Sequence, residues 1–231
     1  ERVHCVSMPS QFSSDETRTD ARRLAENLGC DLQEIAIEDV VDSFRDVLRE
    51  PTQGLVGLAA ENLQARVRGV LLMALSNTFG WLVVSTGNKS ELAVGYSTLY
   101  GDMVGGFALL KDVFKTDVFR LARHLNERAD REVIPSSTIE RAPSAELRPD
   151  QRDEDSIPRY ETLDPVLEAY VELDRSREEL LEEFDAAIVE RVVSLVDRAE
   201  YKRRQAPPGV KLRPKAFGRD RRTPITNRWR D

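Results

Sequence analysis

Thr86-Gly87-Asn88-Lys89-Ser90-Glu91 is the densest run of chemically useful groups in this chain. A Gly-Asn turn at the end of a buried strand exposes backbone N–H groups suited to phosphate, and the Glu91 carboxylate is a hard oxygen donor suited to a divalent cation. A carboxylate in a first helical turn also complements the helix dipole, so Glu91 alone leaves a structural role open. Lys115 opens a further helix, where its ammonium either meets an anion or stays in solvent. Asn62 and Arg66 stand four residues apart on one helix and either address a single group or form an ordinary exposed face. Ser144, within Pro143-Ser144-Ala145-Glu146-Leu147-Arg148-Pro149, offers its hydroxyl to a ligand or to its own turn. Lys202, within Tyr201-Lys202-Arg203-Arg204-Gln205, ends the last helix, where cations complement the dipole or gather nucleic acid. The glycine-dense run Tyr100 to Phe107 signals close approach of backbone to some neighbour.

Other chemistries lack material. His4 and His124 are the only histidines, one in a predicted strand and one in a predicted helix, without the spacing of a zinc site. Cys5 and Cys30 are the only cysteines, which excludes a disulfide framework, and both read as small inert thiols.

The elements that must position these groups alternate. Val3 to Met8 reads as a strand ended by Pro9; a helix capped by Ser13 or Ser14 then runs to Gly29, and Gln33 to Ile37 is a second strand. Asp39 to Leu48 is a helix with Pro51 beyond it. Glu61 to Phe79 is the clearest helix, with Leu63, Val67, Val70, Leu71, Ala74, Leu75 and Phe79 as its apolar stripe. Its other side, Asn62, Ala65, Arg66 and Gly69, admits a close neighbour. Trp81 to Ser85 is continuous and apolar, as in a parallel strand buried on both faces, and Lys111 to Thr116 leads into another helix, with Lys115 at its start, that runs to His124. Pro135 to Pro165 reads as a long polar loop, and 164 to 198 as helix again, broken near Asp185. Strands alternating with helices make an α/β chain, whose ligands bind beyond the carboxyl ends of the strands, where Thr86 to Glu91 falls.

The chain has 231 residues, 40% apolar and 32% charged, enough for one large domain with a true core. Residues 1–200 form this domain and 201–231 its basic tail. The net charge of −7 conceals an asymmetry: Tyr201 to Asp231 holds 11 basic and 2 acidic residues, whereas Asp150 to Asp185 holds 14 acidic and 4 basic ones. Such a tail suits nucleic acid, a membrane surface or a nucleotide. It lacks the interleaved aromatics of a single-strand platform, Phe217 and Trp229 being the only ones beyond Tyr201, so no nucleic acid is expected. The longest apolar stretch, Val70 to Leu75, is far too short for a membrane helix, and a soluble, reducing, cytoplasmic setting is expected.

Taken in order, these motifs resemble the synthetase domain of NAD synthetase in its glutamine-dependent bacterial form. The likeness is carried by Ser7-Met8-Pro9-Ser10, Glu61 to Arg66, Ser85 to Glu91, Tyr100-Gly101-Asp102, Pro143 to Pro149, Tyr201 to Gln205 and Phe217 to Arg222. The resemblance implies a Rossmann-like parallel sheet of the adenine-nucleotide hydrolase (ATP pyrophosphatase) type with helices on both faces, and a homodimer. It also implies ATP- and Mg2+-dependent amidation of deamido-NAD, through an adenylate, releasing pyrophosphate and AMP. Carried over residue by residue, Thr86, Lys115 and Ser144 would bind ATP, and Asn62, Arg66, Glu91 and Lys202 would bind deamido-NAD. Glu91 would hold the metal, and Glu91 and Lys115 would be catalytic.

Departures accompany the likeness. The family's Ser-Gly-Gly-x-Asp-Ser phosphate loop, which should precede Glu1, has no copy here, and neither has the glutaminase domain that would supply ammonia. The expectation is a fragment of a longer enzyme, inactive alone. Leu99, Gly106, Leu109 and Phe114 also differ from common family residues, which bears on the dinucleotide-binding loop. Alternatives are another ATP pyrophosphatase that amidates a different carboxylate or modifies tRNA, a nucleic-acid module using the tail, and a dimerisation fragment using the small-residue face of Glu61 to Phe79.

Overall fold

The computed structural model describes residues 3–226; Glu1 and the segment with Trp229 lie outside the described residues. Its order begins β1 (His4–Ser7), α1 (Asp15–Leu28), β2 (Asp31–Glu34), α2 (Glu38–Thr52), α3 (Leu58–Phe79), β3 (Val84–Ser85), α4 (Lys89–Val94) and β4 (Phe107–Ala108). It continues with α5 (Lys115–Ala129), α6 (Ser136–Glu140), α7 (Tyr160–Leu167), α8 (Arg177–Glu183), α9 (Ala186–Arg198) and α10 (Glu200–Arg203).

Local chemistry accounts for these boundaries. Ser14 caps α1 by accepting the Thr17 N–H, and Gly29 closes the helix in the left-handed conformation. Asn88 and Glu91 form a reciprocal capping box on α4. Asp185 accepts the N–H groups of Ala187 and Ile188, and so starts α9.

All strand pairing is parallel, but it divides between two separate pairs, β1 with β2 and β3 with β4. The remaining edges of β1 and β3 face one another across a cavity lined by Val3 to Val6 on one side and Trp81 to Ser85 on the other. His4 stacks on Trp81 across this slot, with ring centroids 4.0 Å apart. The expected strand Trp81 to Ser85 therefore needs correction. Only Val84–Ser85 pairs, and Leu82 and Val84 are 68% and 46% exposed, because they point to the same face of the strand and that face is left uncovered.

Three further expectations change. The stripe on α3 is only partly used: α2 covers Leu63, Val67 and Leu71 around Ile37 and Val41, while Val70, Ala74 and Phe79 stay exposed. The interval 135–165 is not a plain loop, since it contains α6, a short helical turn at Asp153–Asp155 and the start of α7. The helical stretch that follows breaks twice, α7 running into a wide turn at Glu168–Glu172 before α8, and Asp185 then opening α9.

The main core lies where α4, α7 and α9 meet. Leu163, Val166, Leu167, Val171 and Val192 are fully buried there, closed off by Phe114 and Phe217. Phe217 belongs to the tail, which lies across the body as a strap; Pro208 accepts the Ala108 N–H on the free side of β4.

Candidate functional site

A cavity of about 1840 Å³ opens at the carboxyl ends of β1 and β3 and takes in the slot between them. It exceeds the ~300 to 1000 Å³ of an ordinary small-molecule site. Asn62, Arg66, Thr86, Glu91, Lys115, Ser144 and Lys202 all line it. Seven residues spread over 141 positions of sequence thus share one wall system.

Lys115 and Glu91 meet directly. The Lys115 Nζ donates to Glu91 Oε1 at 3.1 Å, and its ammonium lies over the Tyr160 ring, 5.4 Å from the centroid. Lys115 is thus paired and partly buried rather than loose in solvent. Its position is fixed from below: the Lys115 N–H donates to Ser90 Oγ at 2.9 Å, and that hydroxyl donates to Asp164 at 2.5 Å. Glu91 Oε2 accepts the Asn88 N–H at 3.2 Å, and Asn88 Oδ1 accepts the Glu91 N–H at 3.0 Å.

These bonds correct the phosphate reading of the turn. The N–H groups of Asn88 and Glu91 close the capping box, and that of Lys89 donates to the Val113 carbonyl at 2.9 Å. They are engaged inside the protein. Thr86 is exposed at the mouth of the cavity, and Ser144 Oγ accepts the Glu146 N–H at 3.1 Å within its turn. Glu146 in turn accepts the hydroxyls of Ser14 and Thr17, pinning this turn to the start of α1.

Asn62 and Arg66 do address one group, the chain's own loop after α4. Thr98 Oγ1 donates to Asn62 Oδ1 at 2.7 Å, and Arg66 Nε donates to the Leu99 carbonyl at 3.2 Å. The small-residue face of α3 is filled by the same loop. A Cβ at Gly69 would stand 2.6 Å from the Tyr100 carbonyl oxygen, and one at Gly101 would stand 2.9 Å from Ala65 Cβ. That face is covered by the chain itself, so it is not the free dimer contact expected from the sequence. Lys202 grips the loop from the other side, with Nζ donating to the carbonyls of Gly95 and Ser97 at 2.6 and 2.7 Å. Burial pulls the Lys202 pKa below the usual lysine value.

Sequence reasoning missed Asp102. Its carboxylate accepts the Thr98 N–H at 2.5 Å, and burial pushes its pKa up to about 6, with Glu91 adding repulsion and Lys202 opposing. The glycine density around Tyr100-Gly101-Asp102, and the place of that triplet among the motifs that carry the resemblance, were its signals. Asp153 was missed too: it accepts the hydroxyls of Tyr96 and Tyr160 at 3.1 and 2.8 Å, and burial raises both phenols.

Glu91 is one of several carboxylates lining the cavity, but among the described residues no group of three or more His, Cys, Asp or Glu is arranged to hold a metal. A single carboxylate suits Mg2+, which commonly takes one or two protein carboxylates together with substrate phosphates and water.

A parallel α/β body with a cation-bearing cleft at its strand ends defines a fold of the Rossmann-like ATP pyrophosphatase type. The family model described as NAD synthase matches residues 1–206, and the chain belongs to that family. It is 52% identical over 233 residues to a glutamine-dependent NAD(+) synthetase of Acinetobacter baylyi and 49% identical over 233 residues to that of Thermotoga maritima. All of this chain is covered in both matches, but only 43% and 40% of the relatives' lengths, so the chain spans less than half of either. A solved glutamine-dependent NAD+ synthetase from Acinetobacter baumannii in complex with adenosine diphosphate is 46% identical, with a TM-score of 0.60, over 99% of this chain and 41% of that one. NMN synthetase from Francisella tularensis is 26% identical with a TM-score of 0.68, over 86% of this chain and 75% of its own.

Proposed function

We propose that this chain carries the dinucleotide half of an NAD synthetase site, acting within a longer enzyme in the ATP-dependent amidation of deamido-NAD to NAD. The observation that carries this reading is the convergence of seven residues, far apart in sequence, on the lining of one cavity, with Lys115 paired to Glu91 there. In the proposed reaction the nicotinate carboxylate attacks the α-phosphorus of ATP and pyrophosphate leaves. Ammonia then attacks the acyl carbon of the adenylate and AMP leaves.

Both steps move negative charge, which fixed cations in a partly desolvated cleft stabilise better than water does. Lys115 is suited to that task because its ammonium is held by Glu91 and the Tyr160 ring before substrate arrives. Thr86 and Ser144 stand at the rim for ATP, while Asn62, Arg66 and Lys202 brace the loop 95–102 against which the dinucleotide would lie. Glu91 would hold Mg2+, which when bound supplies Lewis-acid neutralisation of the phosphates. A phosphate-binding segment from outside residues 3–226, seated in the slot between β1 and β3, would complete the site, and a glutaminase unit would deliver ammonia. Two copies would associate as a homodimer in a cytoplasmic setting.

The test is isothermal titration of the chain with deamido-NAD and Mg2+, alongside Glu91→Ala and Lys202→Ala. Binding to the parent, weakened at least about tenfold in both variants, is the expected result, through loss of a charged contact at Glu91 and of the loop's anchor at Lys202. Heat unchanged in either variant, or no binding by a folded parent even after upstream residues are restored, would overturn the assignment.

A further inference from the structure

Lys89 sits in the middle of the site turn, yet its side chain is 0% exposed. Its neighbours Asn88 and Glu91 line the cavity, whereas Lys89 points away from it into the body. A buried ammonium is costly unless every proton finds an acceptor. Here all three do: Nζ donates to Asp112 Oδ1 at 2.7 Å, Glu172 Oε1 at 2.6 Å and the Lys215 carbonyl at 2.6 Å. The acceptors come from three separate stretches of chain, and one of them is the basic tail.

The tail supplies more than that carbonyl. Asp112 Oδ2 accepts the N–H groups of Leu212 and Arg213 at 2.7 and 2.8 Å. Arg213 Nε donates to Glu172 Oε1 at 2.7 Å, the same oxygen that receives Lys89. Phe114 lies between the two cations, 5.3 Å from Lys89 Nζ and 4.6 Å from Arg213 Cζ, and its neighbour Val113 accepts the Lys89 N–H. Asp112 and Glu172 thus join a buried cation from the site turn to a partly exposed cation from the strap, which also pairs with Asp117 and Glu168.

We infer that Lys89 is a positioning residue that makes the geometry of the turn Thr86 to Glu91 depend on the docked strap. Removing Arg213 leaves Asp112 and Glu172 facing a single cation. Removing Lys89 takes one partner from each of the same carboxylates and frees the Lys215 carbonyl. In either case the cost falls on both segments, because they share Glu172 Oε1 and hold the two oxygens of Asp112 from opposite sides. Ligand at the turn and strap on the body therefore strengthen one another, as linkage requires. The link to ligand rests on the function proposed above; the link between turn and strap does not.

Hydrogen–deuterium exchange of the 231-residue chain separates the two. Arg213→Ala, at a partly exposed position, should speed exchange at least about tenfold in residues 207–221 and also in 86–95, leaving β1 and β2 at parent rates. Lys89→Met should do the same, and its folding is checked by circular dichroism. Release of the strap in Arg213→Ala with 86–95 still protected at parent level would overturn the inference, as would full protection of the strap. If Lys89→Met fails to fold, Arg213→Ala alone decides. Adenosine diphosphate gives the reciprocal readout, which simple packing would not produce: it should slow strap exchange in the parent and not in Arg213→Ala. Coupled exchange without any nucleotide effect on the parent would count against nucleotide binding by this chain and leave the coupling standing.

Discussion

Asp102 holds a carboxyl group in the wall of the cavity, where loss of water outweighs the backbone N–H bonds it receives and raises its pKa to about 6. In the unfolded chain the group returns to 3.8. Between those values the folded state binds more protons than the unfolded one, so this group's contribution favours folding at low pH and is lost as pH rises through about 4 to 6. Asp102→Asn keeps the shape and removes the titration. The unfolding free energy of the variant should then lose a falling component on the order of 2 to 3 kcal/mol between pH 4 and 7, the size that a rise from 3.8 to about 6 implies. Urea unfolding at stepped pH measures it, and an unchanged slope would place the charge elsewhere. The Glu91–Lys115 pair stands partly in solvent, so its direct contribution to stability is small.

At the level of elements, α3 and the loop 95–104 form one unit through the absence of side chains. The Tyr100 carbonyl lies 2.6 Å from where a Gly69 Cβ would be, and a backbone oxygen cannot rotate away. Gly69→Ala should therefore destabilise by about 1 to 3 kcal/mol, reversing the ~1 kcal/mol that alanine normally contributes inside a helix. Chemical denaturation reads the sign directly; a stabilised variant would mean that the loop is not held there. Asp185→Ala should cost about 1 kcal/mol through loss of the double cap on α9. Such devices explain what was legible in the sequence. Ser14, Gly29 and Asp185 mark helix ends by local chemistry, and the apolar run ending at Ser85 located the mouth of the site even though most of that run does not pair. Asp102 and Lys89 were illegible as site elements, because their character comes from burial by segments distant in sequence. The alternation of Leu82 and Val84 into solvent could not be read either, since it depends on which face of β3 the rest of the chain covers.

Across the whole molecule the two charge runs explain one another. The acidic stretch from 150 to 185 meets the basic tail: Arg213 pairs with Glu168 and Glu172, while Lys215 and Arg221 pair with Asp174. Lys211 takes Asp220 within the tail, and Arg204 takes Glu200 at the end of the last helix. Most of these pairs are exposed and individually weak, but Arg213 connects to the buried Lys89 cluster and fixes the register of the rest. Cations already matched to carboxylates release few counterions when a polyanion arrives, so their affinity for phosphate backbones should be low. A tail making six or more phosphate contacts would lose ~10³-fold in affinity between 50 and 200 mM salt. Titration of a labelled duplex, and of a labelled single strand, should instead show weak binding at 50 mM with a shallow salt slope. A steep slope would mean that the tail leaves the acidic belt in solution. The prediction sharpens in a paired experiment: Glu168→Gln with Asp174→Asn removes surface partners without touching Lys89, and should raise both the affinity and the slope. If it raises neither, the tail is held by its buried residues alone, Phe217 and the Lys89 cluster, and the acidic belt contributes only solubility.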